Sequence, residues 1–183
     1  DRFPITTMGM LDATTYCGWR GQSVCTEAQW ERAARGGCET IEGDCRTQMR
    51  TYPWGEEAPT CDHANFVYGC NNADTMAVGS HSPKGDSPYG VRDMGGNAWT
   101  WTADVNHGYG EANYYTYSPL RDPTGAETGS FFIVRGGTAL NGPEQSGWFS
   151  SRSSWRPSNS YPQGYAGGSK TVGIRCCRPC GAP

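Results

Sequence analysis

Ala13, Tyr16 and Cys17 recur at i, i+3 and i+4, which predicts a short helix over residues 11–18 with one buried stripe that turns its cysteine inward. A second helix is predicted over residues 27–35. Thr26 stands as its N-cap with Gln29 at the capping-box position, Trp30 joins Ala33 and Ala34 on the apolar side, and Gly36 follows where a left-handed terminator belongs. Beyond Gly37 the helical period is lost. Pro53, Gly55, Pro59, Gly69, Gly79, Pro83, Gly85, Pro88 and Gly90 break the chain every few residues, so only short strands fit between them. The β-branched and aromatic runs at 131–135 and 171–176, each bounded by glycine, are the clearest strands. Residues 91–101, VRDMGGNAWTW, read as a glycine-rich turn carrying Asn97, Trp99 and Trp101. Residues 106–130 and 141–170 read as long surface loops, where functional side chains tend to lie.

Composition narrows this to a compact α+β domain rich in loops. The 183 residues are the length of one domain, and neither an internal repeat nor a linker interrupts residues 1–183. Twenty-six Gly and 12 Pro suit a fold dominated by turns, while 5 Phe, 7 Trp, 10 Tyr and nine cysteines argue against disorder. A net charge of −3 without long like-charge runs nominates no nucleic-acid partner. No stretch approaches the roughly 20 apolar residues that span a bilayer. The density of cysteine points to an oxidising compartment, hence to a secreted, periplasmic or cell-surface protein.

Several familiar chemistries fail on spacing. Cys177-Arg178-Pro179-Cys180 has redox or zinc spacing but lacks the strand-then-helix setting, and structural pairing suits it better. Gly167-Gly168-Ser169-Lys170-Thr171 lacks the glycine before lysine that a phosphate loop needs. His63, His81 and His107 share no metal-ligand spacing and read as surface or capping residues, and no nucleophile elbow is present. Asp93, Asp104 and Glu144 are open candidates for paired carboxylates. Trp99, Trp101, Trp148 and Trp155 read first as core, and Arg152 and Arg156 first as structural ion-pair partners.

Taken in order, PITTMGMLDATTYCGW, VCTEAQWERAARGG, TYPWG, HANF, MAVGSHSPKGDSPYGVRDMGGNAWTWTADV, IVRGGT and VGIRCCRP resemble the formylglycine-generating-enzyme, or sulfatase-modifying-factor, family. The resemblance covers nearly the whole chain and implies an irregular variant of the C-type-lectin fold with two short helices and short antiparallel strands. It also implies calcium, bound through backbone oxygens and a carboxylate at the positions of Asp93, Gly96, Ala98 and Thr100. Thr100 stands where the family places Glu. A second calcium site would begin at Asn65 and Phe66. The resemblance further implies a Cys17–Cys176 bridge. Cys38–Cys45 and Cys61–Cys70, close in sequence, are expected as local bridges, which leaves Cys25, Cys177 and Cys180 to share one bond and one thiol. The family's other bridge would need cysteine at Ala34 and near Ser153.

Two departures bear on function. The family's oxidases hold copper(I) with C-x-x-x-x-C shortly after R-G-G-S, but Asn141 occupies the first position here and Ser146 is nearest the second. No cysteine lies between Cys70 and Cys176, so no copper is expected. The chain also begins after the family's upstream block, from which we expect a companion chain or cleaved precursor to complete the fold. The expectation is a non-catalytic binding or assembly module that takes a protein partner or a glycan. Its groove would be framed by Trp99, Thr138 and Asn141, with Trp148, Arg152 and Arg156 beside them. Tyr109, Tyr114, Tyr115, Tyr117, Tyr161 and Tyr165 sit on the flanking loops. The alternative is an enzyme of the same superfamily, either the oxidase itself or a divergent oxidoreductase. The iron-dependent, sulfoxide-forming members draw a histidine triad from an accompanying domain, which this chain lacks.

Overall fold

The structure is a computed structural model that describes residues 2–45, 49–66, 70, 74–106, 114–140, 150–157, 161–162 and 171–178. The chain divides into two contact units, each gathered from several segments. Unit 1 comprises Asp1–Pro4, Glu31–Trp99 and Gly136–Trp155; unit 2 comprises Ile5–Trp30, Thr100–Arg135 and Arg156–Pro183.

Unit 2 holds most of the regular structure. Helix α1 spans Met10–Trp19 and buries Met10, Ala13 and Cys17. Tyr16, expected on that stripe, is 37% exposed and rests against Trp19 with ring centroids 6.0 Å apart. At 100° per residue Met10, Ala13 and Cys17 fill the core-facing arc, and Tyr16 is left beside Trp19, three positions on. Helix α2 spans Glu27–Arg35, as predicted. Its capping box is formed: the Thr26 N–H donates to Gln29 Oε1 at 2.9 Å and the Gln29 N–H to Thr26 Oγ1 at 3.2 Å.

Six strands among the described residues follow the α+β pattern. β1 (Ser23–Val24) pairs antiparallel with β6 (Cys176–Cys177), while β2 (Trp99–Asn106), β3 (Phe131–Arg135), β4 (Tyr161–Pro162) and β5 (Val172–Gly173) form a sheet in the order β4-β3-β2-β5. β3 lies where its apolar run predicts. The strand expected over 171–176 is divided instead: β5 joins the larger sheet, the chain leaves it at Ile174 and Arg175, and β6 joins the smaller one. The eight-residue β2 corrects the reading of 91–101 as a turn alone, because Trp99 and Trp101 already lie on the strand. Two disulfides close the unit, Cys17–Cys176 and Cys25–Cys177. The first is the bridge the family resemblance implies, and the second supplies the one further bond expected among Cys25, Cys177 and Cys180. Cys180 lies outside the described residues.

Unit 1 is mostly turns. Its local bridges Cys38–Cys45 and Cys61–Cys70 are both formed. Tyr52, Trp54 and His63 stack in series at 5.1 and 5.0 Å, which places His63 in packed surroundings rather than on the surface. Its Nδ1 meets Thr60 and its Nε2 meets Glu57. Gly36 ends α2 at φ +82°, the left-handed position predicted for it.

Candidate functional site

The Gly95-Gly96-Asn97 turn organises unit 1. Gly96 has φ +75°, and a Cβ there would stand 2.6 Å from the Asn65 carbonyl oxygen, so only glycine allows the two backbones to meet. Asn97 follows at φ +65°, a conformation that asparagine tolerates better than most residues. Its side chain is the hub of a buried network. Oδ1 accepts from the Met76 N–H at 2.8 Å and from Asn65 Nδ2 at 3.3 Å, and Nδ2 donates to the Met76 carbonyl at 3.1 Å. Its backbone carbonyl accepts from the Ala139 N–H at 2.9 Å and from Thr138 Oγ1 at 3.4 Å.

The residues expected to frame the groove divide between the units. In unit 1, Trp99 is buried and stacks on Trp155 with centroids 5.4 Å apart, and Thr138 is buried against Asn97. Arg152 is half-buried in the same unit. Asn141, Trp148, Ser146 and Glu144 lie outside the described residues. Arg156 belongs to unit 2, where it makes the structural ion pair anticipated for it.

Calcium takes oxygen ligands from amides, carbonyls and carboxylates, so the useful test of fit is a buried oxygen that lacks a donor. Asn65 supplies one. Its Nδ2 is turned toward the carbonyl of Asp74 (2.7 Å) and Oδ1 of Asn97, which points its own Oδ1 the other way, buried and without a hydrogen-bond partner. Phe66 beside it is buried, and the Asp74 carboxylate is exposed nearby in sequence, accepting from the Thr75 N–H at 2.8 Å. Asn65 therefore fits an oxygen-coordinated cation. The positions Asp93, Gly96, Ala98 and Thr100 offer no orphaned side-chain oxygen among the described residues. Asp93 Oδ2 accepts from the Gly79 N–H at 2.7 Å, and Thr100 lies on β2 in register with Arg135 of β3. Among the described residues no three His, Cys, Asp or Glu side chains form a metal cluster.

Unit 2 contains a charged cluster that the sequence did not reveal. Glu27, in the first turn of α2, is 2% exposed, and its carboxylate receives Arg156 through both Nε (2.7 Å) and Nη2. The Tyr115 hydroxyl donates to it at 3.0 Å, and Arg135 Nε approaches to 3.6 Å. Arg135 lies over the Trp30 ring at 5.2 Å and Arg156 over Tyr115 at 5.7 Å, so aromatic faces help stabilise both cations. Asp104 comes in from β2 and accepts the Glu27 N–H on Oδ2 at 2.6 Å, acting as a cap from outside the helix. Burial pushes the Asp104 carboxyl up to about 6, against the pull of the Glu27 amide. Of the candidate carboxylates, Asp104 thus does stand beside a second one, and that partner is Glu27. The local signal in TEAQW placed Glu27 only as a first-turn acid; its ion-pair partner lies 129 residues away.

Every cysteine among the described residues is in a disulfide, so none of them offers a thiolate. The four bridges suggest an oxidising compartment. Among the described residues no helix is long and apolar enough to cross a membrane.

Comparison with known proteins agrees with the motifs. The family model described as sulfatase-modifying factor enzyme 1-like domain matches residues 1–180. The chain is 34% identical over 149 residues to the formylglycine-generating enzyme of Streptomyces coelicolor, covering 75% of this chain and 42% of that one. It is 35% identical over 109 residues to inactive C-alpha-formylglycine-generating enzyme 2 of Bos taurus, covering 55% and 33%. The chain thus spans less than half the length of these relatives. Among solved structures, PvdO of Pseudomonas aeruginosa superposes with a TM-score of 0.66 at 25% identity, covering 94% of this chain and 60% of that one. The family model, the order of the motifs and the formylglycine-generating-enzyme type of fold agree: this chain belongs to the sulfatase-modifying-factor enzyme family.

Proposed function

We propose that this domain is a secreted, non-catalytic binding or assembly module built on the formylglycine-generating-enzyme fold. The observation that carries the reading is the state of its sulfur. The chain has no cysteine between Cys70 and Cys176, and all eight cysteines among the described residues are paired in disulfides. Copper(I) chemistry needs soft thiolates, and the amide of Asn141 and the hydroxyl of Ser146 are hard donors that also cannot replace a cysteine nucleophile. That one bovine relative is named an inactive form gives the reading a precedent within the family. The names of other relatives, formylglycine-generating enzyme and hercynine oxygenase, favour the enzymatic alternative, which would need a thiolate or a metal triad from elsewhere.

Exposed apolar side chains support a partner of protein character. On unit 2, Leu11 and Trp19 of α1 are each 79% exposed, and Tyr117 and Leu120 of the 114–126 segment project into solvent. Calcium at Asn65 is part of this proposal: the ion would draw Asn65 Oδ1 and oxygens of its neighbours together and stiffen the base on which the loops stand. Native mass spectrometry of the protein purified from its source tests the assembly reading. An assembly of this domain with a second polypeptide is expected, and a stable single-chain species would count against it.

A further inference from the structure

The 114–126 segment is anchored at both of its limbs. Downstream, Ala126 bridges Val105 of β2 and the Ser130 N–H donates to the Asn106 carbonyl at 2.7 Å. Upstream, Tyr115 donates to Glu27. Between them the Ser118 hydroxyl donates to the Thr124 carbonyl at 2.6 Å and closes a tip that exposes Tyr117 and Leu120. Gly125 lies directly on Asp104: a Cβ there would stand 2.5 Å from Oδ1. The segment therefore seats on two buried carboxylates at once, Glu27 through Tyr115 and Asp104 through Gly125.

We propose that residues 114–126 form a strap latched on the Glu27–Asp104 carboxylate pair, held closed while Asp104 carries a proton and loosened when Asp104 ionises. The charges around the pair explain the direction. Arg156 grips Glu27 in two places, and Arg135 faces the same carboxylate from β3. Asp104 faces Glu27 from β2 and has Arg156 as its cationic neighbour; the backbone bonds from Glu27 and from Gly125 of the strap favour its ionised form, and burial outweighs them. Ionised Asp104 is thus a second negative charge, buried beside the first, and Gly125 of the strap lies directly against its buried Oδ1. A carboxyl raised to about 6 in the closed state gains most from opening at neutral pH. The strap carries Tyr117 and Leu120, so its loosening would alter the surface offered to a partner; the latch itself does not depend on the binding reading.

Hydrogen-exchange mass spectrometry on the full chain, corrected for the intrinsic pH dependence of exchange, tests this. If the open state returns Asp104 from about 6 to its ordinary value of 3.8, the opening equilibrium of 114–126 rises about tenfold between about pH 5 and about pH 7.5. Asp104→Asn keeps an acceptor for the Glu27 N–H and should hold the low-pH protection at both values. Should that variant not fold, a carbon-13 carboxyl titration of Asp104 in the wild type gives the second reading, with a midpoint near 6 expected. Corrected protection of the strap that is independent of pH, an Asn variant with undiminished pH dependence, or an Asp104 midpoint near 4 would each overturn the latch.

Discussion

Cys17–Cys176 and Cys25–Cys177 are separated by 159 and 152 residues, and each considered alone closes nearly the whole chain. In the chain-entropy model a loop of that length is worth about 5 kcal/mol. The two bridges interleave along the chain, with their ends eight residues apart on one flank and adjacent on the other. With either in place, the other closes a residual loop of only about nine residues, worth about 2.5 kcal/mol. Replacing the cysteines of one bridge by alanine should therefore cost about 2.5 kcal/mol, whichever bridge is chosen, whereas removing both should cost about 7.5 kcal/mol. The coupling, about 2.5 kcal/mol, is the value of a long loop that stays closed until the second bridge is lost. Lost sulfur packing adds to each variant and largely cancels in the cycle. Urea unfolding with linear extrapolation measures all three variants. A single removal that costs about 5 kcal/mol, or a double removal equal to the sum of the singles within about 0.5 kcal/mol, would refute the reasoning.

Three further outcomes follow from named contacts. The Asp104 carboxyl is raised to about 6, so between about pH 4 and 6 the folded chain keeps a proton that the unfolded chain has released; stability should fall as pH rises through that window, by about 3 kcal/mol at most, and Asp104→Asn should flatten the dependence in urea midpoints taken across it. Arg156→Met strips Glu27 of its two-point partner and leaves a buried carboxylate underpaired, at a cost of about 3 kcal/mol, most of which Glu27→Gln in the same chain should recover. Asn97→Ala removes a side chain that meets Asn65 and both backbone groups of Met76 while keeping φ at +65°, and thermal melts should show a loss of about 2–3 kcal/mol.

Local chemistry made some elements legible and hid others. Helix α2 could be read because Thr26, Gln29 and Gly36 specify its two ends through neighbours three to nine positions away, and β3 because its run is bounded by glycine. β2 was hidden by a reversal of the usual pattern. Its residues Thr100, Thr102, Asp104 and Asn106 alternate with Trp101 and Val105, as on a strand with one wetted face, yet all four polar side chains are buried. Their partners come from afar: Thr102 donates to the Ile133 carbonyl at 3.0 Å, and Asp104 caps α2. The same distance concealed the role of Glu27, since nothing near it in sequence announces Arg156, Arg135 or Tyr115. Tyr16 is the opposite case: the helical spacing of α1 holds, but its buried arc of Met10, Ala13 and Cys17 stops short of Tyr16. Family resemblance supplied what local spacing could not, the pairing of Cys17 with Cys176.

On the proposed reading, a chain with no cysteine between Cys70 and Cys176, and with every described cysteine in a disulfide, supplies no thiolate pair to bind copper(I) and attack a substrate cysteine. The most direct measurement is to incubate the purified, disulfide-intact domain with copper(I) and a Cys-x-Pro-x-Arg peptide under oxygen and follow the peptide by mass spectrometry, beside an active family member as control. No conversion of the cysteine to formylglycine is expected above the protein-free rate, whereas copper-dependent conversion that scales with the amount of domain would contradict the account.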